Sequence, residues 1–390
     1  MTFKRTLLLF LASLTILVSQ AGVKPGFDPV EARDMIALCN SFTFEFLYGT
    51  DEAIIPTGYE KVFTSSIQGM DNKFQVYKKG DIAVINFRGS TEKAISWVEN
   101  FYSAMIPAKG KIVIQEESHP YTFATEKEAS VHAGYALAVV ILSEDILREI
   151  KQLNDQGIYQ IYITGHSQGG ALATMTRAWL ENLPKKALDP KNEFKTYAFA
   201  NPMCGNQEFA DEYGERFVET ETAFSIINPR DIVPKLPLNY EEGKIFSSER
   251  FAQWLESGID TKGLGKDMLM KVFEGGVKGY ITKSNALMTK LISAKFGSVT
   301  MPEFVDDINY FPCGDVKELE PFEYPKIEVD TAGMSEDELE RCEQGEDGKW
   351  YKLEPKFYQH NPYNYFVGTL KAFLPKQYGR LEKRYLEANL

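Results

Sequence analysis

Between residues 159 and 183 a β-branched and aromatic run leads into a glycine-bracketed serine and then an alanine-rich helical pattern. Few folds accommodate that succession. The stretch reads Tyr159-Gln160-Ile161-Tyr162-Ile163-Thr164-Gly165-His166-Ser167-Gln168-Gly169-Gly170-Ala171-Leu172-Ala173. Tyr159 to Thr164 has the composition of a buried strand, and Ala171 to Leu183 that of a helix. A serine between them in a G-x-S-x-G pattern must occupy a tight turn that lifts its hydroxyl above the sheet. Side chains at the two flanking positions would strike the strand and the helix, which is why glycine stands there. The helix starting beneath the serine aims its first amides at the point where negative charge would develop. The short pattern alone recurs by chance; the strand before it and the helix after it give it weight. The competing reading is a glycine-rich turn that holds phosphate or only packs.

A serine nucleophile needs a base, and the base an orienting acid. On a strand–serine turn–helix scaffold of this kind the expected chain order is Ser, then Asp or Glu, then His. The chain has four histidines: His119, His132, His166 and His360. The first two precede Ser167, and His166 adjoins it, where its ring is expected to point away. That leaves His360, in the loop composition Phe357-Tyr358-Gln359-His360-Asn361-Pro362. Asp231 is the expected acid. It follows the apolar strand pattern around Phe224 to Ile227, in Asn228-Pro229-Arg230-Asp231-Ile232-Val233-Pro234, past the carboxyl end of a strand where open α/β sheets place their sites. The alternative is a turn residue paired with Arg230; Glu256 and Asp260 are weaker rivals because no strand delivers them. For the oxyanion hole, the amide of Gln168 is one expected donor and Ser90 another. Ser90 stands in Phe87-Arg88-Gly89-Ser90-Thr91, where an earlier strand ends in a glycine turn.

The chain of 390 residues opens with Lys4 and Arg5, an uncharged apolar run from Thr6 to Val18, and Ser19-Gln20-Ala21. This layout predicts a signal peptide over residues 1–21, with cleavage before Gly22, hence a secreted or periplasmic protein. A membrane anchor is the alternative, but the run falls short of the about 20 residues needed to span. The net charge is −12, and losing Lys4 and Arg5 deepens it by two. That disfavours nucleic acid and electrostatic docking on anionic membranes. Four cysteines follow the leader: Cys39, Cys204, Cys313 and Cys342. Cys313 with Cys342 is the first expected disulfide, against the equal alternative of buried free thiols. No metal-ligand spacing and no cofactor motif is present, so neither a metal nor a cofactor is expected.

Strand and helix patterns alternate through the first part of the chain, predicting an α/β sheet with helical cover. Helices are expected over Pro29 to Thr50 and Val131 to Leu153. Strands are expected over Lys73 to Tyr77, Ile82 to Phe87, Phe194 to Ala200 and Ala223 to Asn228. Tyr240 to Gly348 reads as an insertion or cap on the sheet, starting with two short amphipathic helices across Asp260 to Phe296 that carry Met268, Met270, Phe273, Leu287, Met288, Leu291 and Ile292. Together with Phe101, Met105 and Ile106 they are expected to form an apolar lid and acyl tunnel, or an ordinary core. Ser335 with Glu338 predicts a capping box.

The ordered pieces taken together resemble the class 3 lipase family, the fungal-lipase-like group. They are Phe87-Arg88-Gly89-Ser90, Trp97, Val131-His132-Ala133-Gly134-Tyr135, the turn around Ser167, Phe199-Ala200-Asn201-Pro202 with Gly205-Asn206 and Phe209-Ala210, and Asp231-Ile232-Val233-Pro234-Lys235-Leu236-Pro237, closed by His360. The resemblance covers Gln75 to Pro237 and a short stretch at His360. It implies the α/β-hydrolase fold, a mostly parallel central sheet with helices on both faces and a long insertion before the histidine. It also implies a triad of Ser167, Asp231 and His360, oxyanion donors at Ser90 and Gln168, and a lid beginning near Ser90 to Ile106. The implied activity is that of a triacylglycerol lipase, phospholipase A1 or related esterase, met by lipid or other ester at a lipid–water interface. The chain departs from the family where members often carry Leu after the nucleophile, having Gln168 instead, and in its long segment between Asp231 and His360. A non-lipid carboxylesterase and a silent lipid-binding protein are the competing functions.

Overall fold

The computed structural model describes residues 22–390 except 92, 94, 95, 97, 98, 101–103, 238–289, 291, 295, 296, 308 and 356. The expected leader, Trp97, Phe101, the rival acids Glu256 and Asp260, and Met268, Met270, Phe273, Leu287, Met288 and Leu291 of the expected lid lie outside the described residues.

The strands, in chain order, are β1 (Glu60–Thr64), β2 (Phe74–Lys79), β3 (Ile82–Phe87), β4 (Met105–Pro107), β5 (Lys109–Ile114), β6 (Glu117–Thr122), β7 (Ser130–His132), β8 (Gln160–His166), β9 (Glu193–Phe199), β10 (Ala223–Ile227), β11 (Val299–Thr300) and β12 (Asp315–Glu318). Seven of them form one sheet in the order β1-β2-β3-β8-β9-β10-β12. The three on one side pair antiparallel, and every pairing from β3 onward is parallel. The inner parallel strands β3, β8, β9 and β10 bury both faces, so they read as largely apolar runs rather than alternating ones, whereas the edge strand β12 is half exposed. Ile85, Ile161 and Ile163 pack beneath the helices Ala133–Asp155 and Gln168–Glu181. Val84, Tyr162, Tyr197, Phe199, Phe224 and Ile226 face the opposite layer, with the helix Pro29–Cys39 and Tyr365 of the helix Pro362–Phe373. This is the α/β-hydrolase architecture. Among the described residues no helix is long and apolar enough to cross a membrane.

The differences from the sequence reading have local causes. The helix expected over Pro29 to Thr50 is two, Pro29–Cys39 and Ser41–Tyr48, meeting at Asn40. The Asn40 side chain bonds the Ile36 carbonyl and reaches the Pro362 carbonyl, two residues past His360. The helix expected from Val131 begins at Ala133, because Val131 and His132 pair with Ile106 and Met105 in a short ladder. Met105 and Ile106 are wholly buried there, so they belong to the core rather than to a cover.

Part of the expected insertion is built into the body. β11 extends the β5–β6 sheet, Tyr310 and Cys313 are buried, and β12 forms the edge of the central sheet beside β10. The acidic excursion beyond carries a small sheet, β13 (Glu328–Val329), β14 (Cys342–Gln344) and β15 (Trp350–Lys352), and the Ser335–Glu338 capping box is present.

All four cysteines are free, so the expected Cys313–Cys342 disulfide is not formed. Cys313 is buried against the backbone of Cys204, and burial pushes its thiol up to about 12. Cys342, on the excursion, turns its thiol to the Glu338 carbonyl.

Candidate active site

β8 runs into Ser167, whose backbone takes φ 62° and ψ −131°, a region that costs a non-glycine residue about 1–3 kcal/mol. The surroundings hold it there. The Ser167 N–H bonds the Phe199 carbonyl of β9 at 2.9 Å, and the Ser167 carbonyl accepts the N–H of Gly170 at 2.8 Å. A Cβ on Gly165 would lie 2.1 Å from the Gly169 carbonyl oxygen, and one on Gly169 would lie 2.3 Å from that of Phe87. Backbone meets backbone at both places, so the two glycines are required by contact.

The sheet delivers the other groups to the same edge. Asp231 follows β10, is 1% exposed, and accepts the Val233 N–H on Oδ1 at 3.0 Å. Its Oδ2 lies 2.7 Å from His360 Nδ1, and His360 Nε2 lies 2.8 Å from Ser167 Oγ. Both distances suit proton transfer between a serine and an imidazole held by a carboxylate. Arg230, the alternative partner for Asp231, instead pairs with Glu354 at 2.8 Å.

Two residues absent from the sequence reading fix this arrangement. Tyr365 is wholly buried; its hydroxyl donates to Asp231 Oδ2 at 2.8 Å and accepts the Asn228 N–H at 3.0 Å. Gln359, next to His360, takes Asn228 Nδ2 and the Phe322 N–H on its oxygen and donates to the Phe322 carbonyl and Glu354. The histidine loop is thereby tied to the end of β10. Their signal in the sequence is slight: a polar residue beside the histidine, and a tyrosine early in the following helix. Tyr365→Phe should lower the unfolding free energy by roughly 1–3 kcal/mol, because a buried donor and a buried acceptor both lose their partner. Urea denaturation measures this, and an unchanged midpoint would contradict the role.

The remaining histidines stand as follows. His132 caps the helix Ala133–Asp155 through Nδ1, and burial holds it down to about 3. His119 sits on β6, away from the serine turn. His166 does not point away as expected; its ring centroid lies 4.8 Å from that of His360 and 5.2 Å from that of Tyr365. Burial drives its pKa well below the ordinary value, reinforced by His360, so His166 is a neutral neighbour of the His360 imidazole.

Ser90 and Gln168 meet, though not as two independent donors. Gln168 opens the helix after Ser167, where first-turn N–H groups have no intrahelical partner. Gly89 packs on the serine turn: a Cβ there would lie 2.8 Å from the His166 carbonyl oxygen. That sets Ser90 beside Ser167. The Ser90 hydroxyl donates to Gln168 Oε1 at 2.7 Å, and the Gln168 side chain is buried beneath the turn instead of lining an acyl site. Gln168 Nε2 donates to Glu99 Oε1 at 2.6 Å.

The α/β-hydrolase fold here brings Ser167, His360 and Asp231 into one hydrogen-bonded run at the carboxyl edge of the sheet. Residues 84–241 match the family model described as Lipase (class 3). A lipase of Rhizopus oryzae is 30% identical over 136 residues, covering 34% of this chain and 32% of that protein. The secreted mono- and diacylglycerol lipase A of Penicillium camembertii is 30% identical over 146 residues, covering 37% and 43%. The chain thus spans less than half the length of these relatives. Among solved structures, the Rhizomucor miehei lipase–propeptide complex aligns at TM-score 0.40 and 21% identity, covering 55% of this chain and 65% of that one.

Proposed function

We propose that this chain is an exported serine hydrolase that cleaves carboxylic esters of lipids, of triacylglycerol lipase or phospholipase A1 type, through an acyl-enzyme on Ser167. The observation that carries the reading is the continuous run of hydrogen bonds from Asp231 through His360 to Ser167 Oγ, with the serine held on a strained turn at a helix start.

In this reading His360 Nε2 takes the Ser167 proton while Oγ attacks the ester carbonyl carbon. Asp231 keeps Nδ1 protonated and stabilises the imidazolium. The backbone amides of Gln168 and Ser90 hold the oxyanion; one such donor is worth about 2.7–4 kcal/mol. Collapse passes the proton from His360 to the leaving alcohol and leaves an ester on Ser167. A water activated by His360 then releases the carboxylic acid. Partial support for the substrate class comes from the family match and from relatives named as acylglycerol lipases. Export is supported by the leader layout in the sequence and by a relative named as secreted.

A panel of emulsified triacylglycerols, phospholipid vesicles and short monomeric p-nitrophenyl esters tests the proposal. Emulsified long-chain esters should turn over faster per carbonyl than the monomeric ester. Equal or lower rates on the emulsions would replace the lipid reading by that of a non-lipid carboxylesterase.

A further inference from the structure

Beneath the serine turn, Glu99 centres a closed polar cluster and has no part in the acyl transfer described above. Glu99 is wholly buried, and each of its oxygens accepts one amide hydrogen: Oε1 from Gln168 Nε2 at 2.6 Å, Oε2 from Asn72 Nδ2 at 2.7 Å. Gln168 Nε2 also approaches Asn72 Oδ1 at 3.3 Å. The other end of the Gln168 amide, Oε1, accepts the hydroxyl protons of Ser90 at 2.7 Å and Ser96 at 3.3 Å. Ser90 Oγ in turn accepts from Asn100 Nδ2 at 2.8 Å, and Asn100 Oδ1 accepts the Tyr135 hydroxyl at 3.0 Å.

Counting protons along this chain gives a consequence. An ionised Glu99 has acceptors only, so it demands the NH₂ end of Gln168. That turns the Gln168 oxygen toward Ser90, which then gives its single hydroxyl proton to Gln168. Ser90 Oγ has no second proton for a substrate oxyanion. A protonated Glu99 has a proton to donate. The Gln168 amide then presents its oxygen to Glu99 and its NH₂ to Ser90 Oγ, and the Ser90 proton is released toward the acyl oxygen. One proton added to Glu99 appears at the oxyanion site as one available hydroxyl donor, and no covalent bond changes.

We propose that Glu99 is a positioning residue for the oxyanion donors, setting through the Gln168 amide the direction in which the Ser90 hydroxyl points. The proposal rests on the Ser167 acyl-transfer reading above. Burial alone pushes the Glu99 carboxyl up to about 8, against the two amide donors that lower it, so its proton exchanges within a working pH range. The charged groups around it do not override this. Arg88 and Lys93 are both held by Asp71, at 3.0 and 2.7 Å, on the residue before Asn72. From the helix Ala133–Asp155, burial keeps Tyr135 protonated, and His132 before that helix neutral. Gly134 packs closely on the Glu99 main chain, where a Cβ would lie 2.2 Å from the carbonyl oxygen, so the helix Ala133–Asp155 fixes the backbone that carries this carboxyl.

The test is the pH profile of kcat on a soluble p-nitrophenyl ester for the full chain and for Glu99→Gln, Gln168→Leu and Ser167→Ala. Wild type should lose activity about ten-fold through a limb centred near pH 8 with little change in KM. In Glu99→Gln, whose amide does not titrate in this range, the limb should vanish. Gln168→Leu cuts the same connection and should also lack it, which covers poor folding of the first variant. A wild-type profile without the limb, or the same limb in both variants, overturns the role of Glu99 while leaving Ser167 untouched. Turnover retained by Ser167→Ala instead overturns the underlying acyl-transfer reading.

Discussion

Ser167→Ala is expected to lower kcat on a short p-nitrophenyl ester by about 10⁶-fold, the scale seen when a serine nucleophile of this kind is removed. The serine is the atom to which the acyl group would be bound, so no neighbour substitutes for it within the site. Its Oγ donates toward His360 Nε2 at 2.8 Å, and its backbone at φ 62° is held by bonds to β9 and from the following helix, which alanine retains. The variant should therefore fold with a near-native thermal midpoint while losing both turnover and labelling by a fluorophosphonate, read by intact mass. Turnover above one hundredth of wild type, with the fold intact, would remove Ser167 from the mechanism.

Asp231→Asn should cost about 10⁴-fold in kcat, the loss that attends a wrong imidazole tautomer. The carboxylate here serves three donors: His360 Nδ1 and Tyr365 Oη on Oδ2, and the Val233 N–H on Oδ1. An amide has one oxygen. If it keeps its oxygen toward His360, its NH₂ faces the Val233 N–H in a buried space. If it turns over, the NH₂ donates to Nδ1 and forces the imidazole hydrogen onto Nε2, which then cannot take the serine proton. Both orientations lose, the first in stability and the second in rate. Urea denaturation and kcat measured side by side separate them, and a variant keeping a tenth of wild-type activity would show that Asp231 is not the orienting acid.

What could be read from the sequence was whatever depends on backbone succession. The strand–serine–helix order, the two glycines at Gly165 and Gly169, and the placement of Asp231 past a strand end all follow from local geometry. His360 followed from counting, because the other three histidines precede Ser167 or adjoin it. The inner parallel strands β3, β8, β9 and β10 were legible within two residues at each end because they are largely apolar, whereas the polar edge strand Asp315–Glu318 was not read as a strand. What was illegible depends on contacts between distant segments. The direction of the Gln168 side chain is set by Glu99, Asn72 and Ser90, from three other parts of the chain. Tyr365 and Gln359 acquire meaning only when Asn228 lies against them. His166 seemed destined for the far side of its strand, yet the space beside Tyr365 and His360 accepts an aromatic ring. Val131 and His132 carry a helical pattern, but the ladder with Met105 and Ile106 claims them for a strand. The cysteine pairing failed for the same reason: Cys313 packs inward by Cys204 while Cys342 rides on the acidic excursion.

The place of Asp315–Glu318 at the rim of the sheet bears on how the protein comes into being. This strand completes the flank of Ala223–Ile227, the segment that carries Asp231, and Phe322 just beyond it is gripped by the glutamine next to His360. A polypeptide emerging from its N-terminus lays down the serine turn first and gains Asp315 only 148 residues later (315 − 167) and His360 only 193 residues later. The nucleophile is thus made long before the groups that would arm it, and a nascent or truncated product ending ahead of Asp315 exposes a bare hydrogen-bonding rim where the acid should be braced.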